Sequence, residues 1–281
     1  MEIIRKNKTK MKLWKINDYN PEISLLGGHN FFWKRINENE YISFHNEGGI
    51  YLYKSKGFWR AELLYGFLDI ENYFQLDIDY DAILSTLSKD VVFKKPVSEL
   101  RGLKLTSQPF FDVLISFIIS SNNNINRIRK SVLDITKNYG AKQKNKIIDI
   151  NNFPAPEKIS NITAEELKEK TGVGYRAGYL TNSAKLFIKD KDDIINYKED
   201  ILVEKLKEFP GVGDKVADCV AIYSGRAQTF SPMDRWATKI LYDVYDVDFK
   251  KYKDARKWWK MKFGKNASYA GQFLFEYYRR R

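Results

Sequence analysis

The chain has 281 residues, 43% of them apolar and 15% aromatic, enough for a substantial core in one large or two modest domains and too apolar for a disordered chain. Lys and Arg number 48 against 36 Asp and Glu, and the formal charge of +12 favours polyanionic partners, because neutralising phosphates releases condensed counterions. A single cysteine, Cys219, excludes an internal disulfide or a cysteine-held iron–sulfur cluster, and two histidines, His29 and His45, are too few for a zinc constellation.

The first stretch, Met1 to Lys10, is basic but lacks the apolar region of a secretory signal. The longest apolar run, Phe110 to Ile119, is interrupted by Asp112 and Ser116 and falls short of the ~20 residues that span a membrane. A soluble cytoplasmic chain is expected, nucleoid-associated in a prokaryotic cell, without a targeting segment and with chemistry that needs no metal. From about Leu13 to Ile78 the pattern predicts strands. Tyr41-Ile-Ser-Phe-His-Asn and Ile50-Tyr-Leu-Tyr-Lys alternate or run β-prone, Glu47-Gly48-Gly49 reads as the turn between them, and Tyr73-Phe-Gln-Leu-Asp-Ile reads as a further strand or strand end.

After Pro96 the pattern becomes helical. Pro109 opens a buried helix through Ser120, and Ile125 to Tyr139 is amphipathic and stops at Gly140. Asn151 to Pro156 reads as a loop, and Thr163-Ala-Glu-Glu166 as a capping box. That helix ends at Gly172-Val-Gly174, and the next begins near Tyr175. Further helices are predicted over Ile201 to Phe209, Asp214 to Tyr223, Asp234 to Tyr245 and Tyr252 to Tyr278. The fold class is therefore α+β. An N-terminal antiparallel β-sheet domain over 1–100 precedes a two-part all-helical region over 101–281 that contains a helix-hairpin-helix.

The hairpin, Phe209-Pro-Gly-Val-Gly-Asp-Lys-Val-Ala-Asp, is the most informative stretch. Gly211 and Gly213 permit a tight turn between an apolar helix and its successor. The free N–H groups at the second helix start suit a phosphate oxygen, so the turn can grip a nucleic-acid backbone without reading bases. The same turn also serves as an ordinary helix–helix connection. Lys215 lies in the first turn of the new helix, where the macrodipole disfavours a cation and should lower its pKa. A neutral lysine is a nucleophile able to form a Schiff base with a sugar carbon; a surface charge is the plainer reading. Asp234, after Pro232 and Met233, reads as a helix N-cap, and a carboxylate held that rigidly can also stabilise positive charge developing on a sugar ring.

Taken together these residues resemble the 8-oxoguanine DNA glycosylase/AP lyase family of the helix-hairpin-helix glycosylase superfamily, from about Gly28 to Phe275. The hairpin through Cys219 matches nearly residue for residue, and Asp234 follows Lys215 at the family's spacing of 19 positions. Ser120-Ser-Asn-Asn-Asn-Ile-Asn-Arg127 is similar to the family's asparagine-rich loop, and Gly172-Val-Gly-Tyr-Arg-Ala177 to its duplex-wedging segment. Gly28-His-Asn-Phe-Phe-Trp33 and Asn72-Tyr-Phe-Gln-Leu-Asp77 match its sheet-domain signatures.

The resemblance implies that a damaged guanine is rotated out of duplex DNA, where it lies opposite cytosine, and excised by Lys215 with Asp234 assisting. It implies associated β-lyase cleavage by a monomer that requires no cofactor, with a cation bridging the hairpin to a DNA phosphate as an optional element. Cys219 and Phe275 would flank the flipped base, and the Gly28 carbonyl would accept the N7–H that 8-oxoguanine has and guanine lacks. Asn122 would fill the vacated space, Arg127 and Arg176 would contact the orphaned cytosine, and Tyr175 would wedge at the neighbouring pair. Two positions depart from the family. Trp236 stands where a phosphate-contacting histidine is usual. An ungapped alignment puts Gly271 where a glutamine reads the lesion's pairing edge, with Gln272 one residue later, about 100° around a helix. Two alternatives keep parts of this picture: the same fold acting on a different damaged base, and a non-catalytic helix-hairpin-helix that only binds DNA.

Overall fold

The computed structural model describes residues 14–144, 147–194 and 196–281. The basic stretch Met1 to Lys10 and the predicted strand start at Leu13 lie outside the described residues. The chain runs β1 (Trp14–Ile16), α1 (Pro21–Leu25), β2 (Trp33–Asn37), β3 (Glu40–Ser43), β4 (Gly48–Ser55) and β5 (Phe58–Gly66). The five strands form one antiparallel sheet in the order β1-β5-β4-β3-β2.

Three details differ from the sequence pattern. Pro21–Leu25 is a helical turn, started by Pro21 at its first position and capped by Asn20, which accepts from the Glu22 N–H. Gly48 and Gly49 open β4 instead of forming the turn; a Cβ at Gly49 would lie 2.2 Å from the Tyr65 ring on the paired strand. Tyr73 to Ile78 is not a strand. Asp69 caps a short helix, α2 (Ile70–Tyr73), and burial of Tyr73 among Asn30, Trp33 and His45, all bonded to its hydroxyl, ends the strand pattern there.

Helices α3 (Tyr80–Leu87) and α4 (Lys94–Glu99) lead to α5 (Phe110–Ser120), which is buried from Phe111 onward. The charge inside α5 has a partner. Asp112 accepts from His45 Nδ1 at 2.9 Å and from the Asn46 N–H at 3.0 Å, tying the helix to the sheet domain. Next come α6 (Ile125–Tyr139), a short ladder of β6 (Lys142–Gln143) with β7 (Ile150–Asn151), α7 (Pro156–Ser160) and α8 (Ala164–Thr171). Thr163 caps α8 by accepting from the Glu166 N–H, but the Glu166 carboxylate goes to Lys170 and Tyr139, so one arm of the predicted box is formed.

The chain continues through α9 (Ala177–Ile194), α10 (Glu199–Leu206), α11 (Asp214–Tyr223), α12 (Arg235–Tyr245), α13 (Tyr252–Phe263) and α14 (Ala267–Arg279). The single helix predicted over Tyr252 to Tyr278 is broken at Gly264, whose φ of 52° and ψ of −128° no side chain tolerates well. The break turns α14 back to face α12. One apolar core runs through the helices and takes in Phe31, Phe32 and Phe44; a smaller one lies against the sheet around Trp33, Tyr41 and Tyr73.

Candidate active site

A cavity of about 710 Å³ opens where α5, α11, α12, α14 and the loop at Gly28 converge. Lys215 and Asp234 both line it. The α10–α11 hairpin delivers Lys215: Gly211 adopts a φ of +82° against the Tyr179 ring, Gly213 caps α11 without a side chain, and Lys215 follows in the first turn. Its Nζ lies 5.5 Å from the centroid of the Phe117 ring. Among the described residues the amine has no ion-pair or hydrogen-bond partner.

Asp234 is the N-cap of α12. Its Oδ1 accepts from the Trp236 and Ala237 N–H groups at 3.0 and 2.9 Å, which immobilises the carboxylate while Oδ2 has no bond among the described residues. The expected cap is formed, and it fixes the carboxylate at the cavity wall.

Cys219, one turn beyond Lys215, is buried against the cavity, and burial pushes its thiol up to about 12 against the pull of the Lys215 charge. It stays a neutral thiol and presents an apolar wall. Phe275 lines the cavity from α14, and a Cβ at Gly28 would lie 3.3 Å from its ring and 3.1 Å from Ile125, so any side chain there would narrow the slot. Arg129 donates to the carbonyls of Gly27 and Asn30 at 3.1 and 3.3 Å, and Gln108 donates to that of His29 at 3.1 Å. Within that loop the Gly28 carbonyl is left without a partner among the described residues.

Gln272 reaches the cavity wall, and its amide orientation follows from its neighbours. The Ser24 carbonyl can only accept, so His29 carries its proton on Nε2, which donates to it at 2.8 Å. His29 Nδ1 is then an acceptor and accepts a hydrogen bond from Gln272 Nε2 at 3.0 Å, while Gln272 Oε1 accepts from Tyr223 at 2.9 Å. One N–H and one lone pair of the amide have no partner among the described residues. Gly271 also lines the cavity, but a Cβ there would come within 1.9 Å of Ser231 Oγ, so the backbone of α14 sits directly against the segment leading to Asp234.

The residues assigned to the duplex lie outside the cavity, with the exception of Trp236, which is 42% exposed at its rim. Asn122 is exposed with a left-handed backbone, φ 49°, and Arg127 is exposed in the first turn of α6. Tyr175 is 61% exposed, so it is not a core anchor, and its ring lies 4.4 Å from the Arg176 guanidinium. Arg176 is buried. It donates from Nε to the Ser121 carbonyl at 3.0 Å, from Nη2 to that of Asn122 at 3.1 Å and from Nη1 to that of Val173 at 3.2 Å, and so holds the asparagine-rich loop.

His29, Tyr223, Arg129 and Ser231 escaped sequence reasoning. The signal for His29 was its place beside Gly28 in an otherwise apolar segment; the other three carry no local mark, because their partners are remote in the chain.

The match to known families divides the chain in two. Residues 13–114 match the 8-oxoguanine DNA glycosylase N-terminal domain, and residues 115–261 match the HhH-GPD superfamily base excision DNA repair protein model. The chain is 29% identical over 199 residues to an N-glycosylase/DNA lyase of Saccharomyces cerevisiae, covering 64% of this chain and 51% of the yeast protein. It thus spans about half the length of that relative. A probable N-glycosylase/DNA lyase of Methanothermobacter thermautotrophicus is 26% identical over 234 residues, covering 75% of this chain and 74% of that one. The structure is similar to that of the Clostridium acetobutylicum 8-oxoguanine glycosylase/lyase in complex with double-stranded DNA containing cytosine opposite 8-oxoguanine. The TM-score is 0.84 at 28% identity, over 96% of this chain and 98% of that one.

Proposed function

Because the chain belongs to the HhH-GPD superfamily of base excision DNA repair proteins, we propose that it excises 8-oxoguanine from duplex DNA through an imine formed by Lys215, with associated strand cleavage. The observation that carries this reading is the convergence of Lys215, Asp234, Cys219 and Phe275 on one cavity large enough for a flipped nucleoside. The Lys215 amine attacks C1′ through its nitrogen lone pair. The C1′–N9 bond breaks, its electron pair leaves with the base, and the proton released by the amine ends on the base. Asp234 stabilises the positive charge that builds on the sugar ring. Ring opening, with protonation of O4′, gives the protonated imine. Loss of a C2′ proton then expels the 3′ phosphate by β-elimination.

Cys219 and Phe275 sandwich the base, and the Gly28 carbonyl accepts the N7–H of 8-oxoguanine; ordinary guanine would set a lone pair against it. The unused N–H and lone pair of Gln272 are available to the pairing edge of the base. Asn122, Arg127 and Tyr175 face the gap in the duplex and the cytosine left behind. The first turn of α11, capped by no side chain, receives a phosphate. The Gly211 and Val212 carbonyls accept no hydrogen bond among the described residues and fit a hard cation bridging to that phosphate, which the chemistry at Lys215 does not require. The protein acts as a monomer on DNA in the cytoplasm or nucleoid; no helix among the described residues is long and apolar enough to cross a membrane.

The test is borohydride trapping on a duplex carrying 8-oxoguanine opposite cytosine. The unaltered chain should give a covalent adduct and Lys215→Gln none; an adduct undiminished in Lys215→Gln would remove the mechanism. Gly271, at the position where the family has its reading glutamine, favours a second reading in which another damaged purine is preferred. A panel of lesions in the same duplex decides between them.

A further inference from the structure

Lys215 and Asp234 sit on different helices, separated by the turn-rich segment 224–234, and their chemistry requires a constant separation. Beside the cavity, on the neighbouring flank of α11, lies a second polar cluster. Asp218, fully buried one turn after Lys215 and next to Cys219, is an acid in the otherwise apolar run Val216 to Ile222. Its Oδ2 accepts from the Tyr252 hydroxyl at 2.7 Å and its Oδ1 from Arg256 Nε at 3.0 Å. The same Tyr252 hydroxyl accepts from the Met233 N–H at 3.2 Å, the residue before Asp234. Arg256 also stacks on Phe230, 3.7 Å from its ring, at the start of the segment that ends in Asp234. Two short paths therefore run from the helix of Lys215, through α13, to the backbone that carries Asp234.

We infer that Asp218, Tyr252 and Arg256 are positioning residues, a brace that sets the separation of Lys215 from Asp234. The inference rests on the glycosylase reading of that pair. A buried carboxylate is costly unless paired, and Asp218 brings no contact to the cavity itself. A hydrophobic residue would fill its place more simply if packing were its whole task. Burial pushes Asp218 up to about 7 in spite of Arg256 and Tyr252, a measure of what the fold spends to keep a carboxyl here. Each bond is directional, so together they hold one arrangement of α11 against the 230–233 segment, where apolar contacts would allow sliding.

The experiment uses the full chain with Tyr252→Phe, Asp218→Asn and the two combined. Phenylalanine keeps the ring and removes both bonds of the hydroxyl; asparagine has one accepting oxygen for two donors. Duplex affinity, thermal stability, single-turnover excision from an 8-oxoguanine duplex and borohydride trapping on an abasic duplex are measured for each. Misplacement of reacting groups by a fraction of an ångström predicts losses of about tenfold to a hundredfold in excision and trapping rates, at duplex affinity within about twofold of the unaltered chain. Both substitutions act on the Tyr252–Asp218 bond, so the double variant should be slowed by less than the product of the two single losses. Unchanged rates in folded single variants, losses that multiply, or losses that appear in affinity alone would overturn the brace. Trapping on the abasic duplex needs Lys215 but no base pocket. If the unaltered chain traps there but spares 8-oxoguanine, the lesion assignment fails and the brace is still tested; if it traps on neither, both fall.

Discussion

His29 is buried between an acceptor it must serve and a donor it must receive, and that arrangement has a pH signature. Burial lowers its pKa from 6.5 to about 4, although the Glu276 charge pulls the other way. In the unfolded chain the ring takes a proton near pH 6.5; in the folded protein it does so near pH 4. The stabilisation is therefore complete above about pH 6.5 and is lost as pH falls toward 4, a change of about 3 kcal/mol. Protonation would also set an N–H against the Gln272 N–H, disturbing the wall of the base cavity at the same pH. Urea titrations at pH 7.5 and 4.5 should show this loss in the unaltered chain and a smaller one in His29→Gln, which keeps a neutral polar group there. An equal acid loss in both would show that His29 is not the group responsible.

At the level of elements, the α5–α6 connection is held by a side chain from the turn before α9. Arg176 bonds to the carbonyls of Ser121 and Asn122, and Asn122 has the left-handed φ of 49° that asparagine tolerates better than most residues. Arg176→Met keeps the buried stem and removes the charged donors that hold the part-buried carbonyls of Ser121 and Asn122, at a cost of about 1–3 kcal/mol. Duplex affinity should fall with stability, because the asparagine loop loses its hold. Denaturant unfolding and a binding isotherm on the same variant separate the two roles considered for this residue. A fall in affinity without loss of stability would mean that the guanidinium meets DNA directly and is not a clamp. Tyr175, stacked on Arg176 and exposed, takes its orientation from the same guanidinium.

For the whole molecule the charge of +12 sets the terms of encounter with a polyanion. Each phosphate neutralised contributes about −0.9 to the slope of log affinity against log salt, and a footprint taking in the hairpin, the Trp236 rim and the asparagine loop should give a slope steeper than about −3. Lys215→Gln removes at most one such contact, so its slope should stay within about one of the unaltered value. A near-zero slope, measured on a duplex without a lesion, would contradict backbone recognition by this surface.

Local signals were legible without the fold. The strand-then-helix order, the helix-hairpin-helix at Gly211 and Gly213, the cap at Asp234 and its spacing from Lys215 depend on turn chemistry, periodicity and residues a few positions apart. Where local rules compete, the pattern misled: Gly48 and Gly49 look like a turn but serve the approach of Tyr65, and Tyr73 looks like a strand residue but is drawn into a buried polar network. The bond from Gln272 to His29 joins residues 243 positions apart, and the one from Tyr252 to Asp218 joins residues 34 apart. Such contacts leave no periodic trace, because they follow from how helices pack and not from how each one forms. The order of elements, the hairpin and the candidate pair Lys215 and Asp234 were readable in the sequence by itself. The tertiary structure alone decided which side chains wall the cavity, which way the Gln272 amide points and which bonds join α11 to the segment before α12, since each is a matter of distance between elements that local chemistry does not specify.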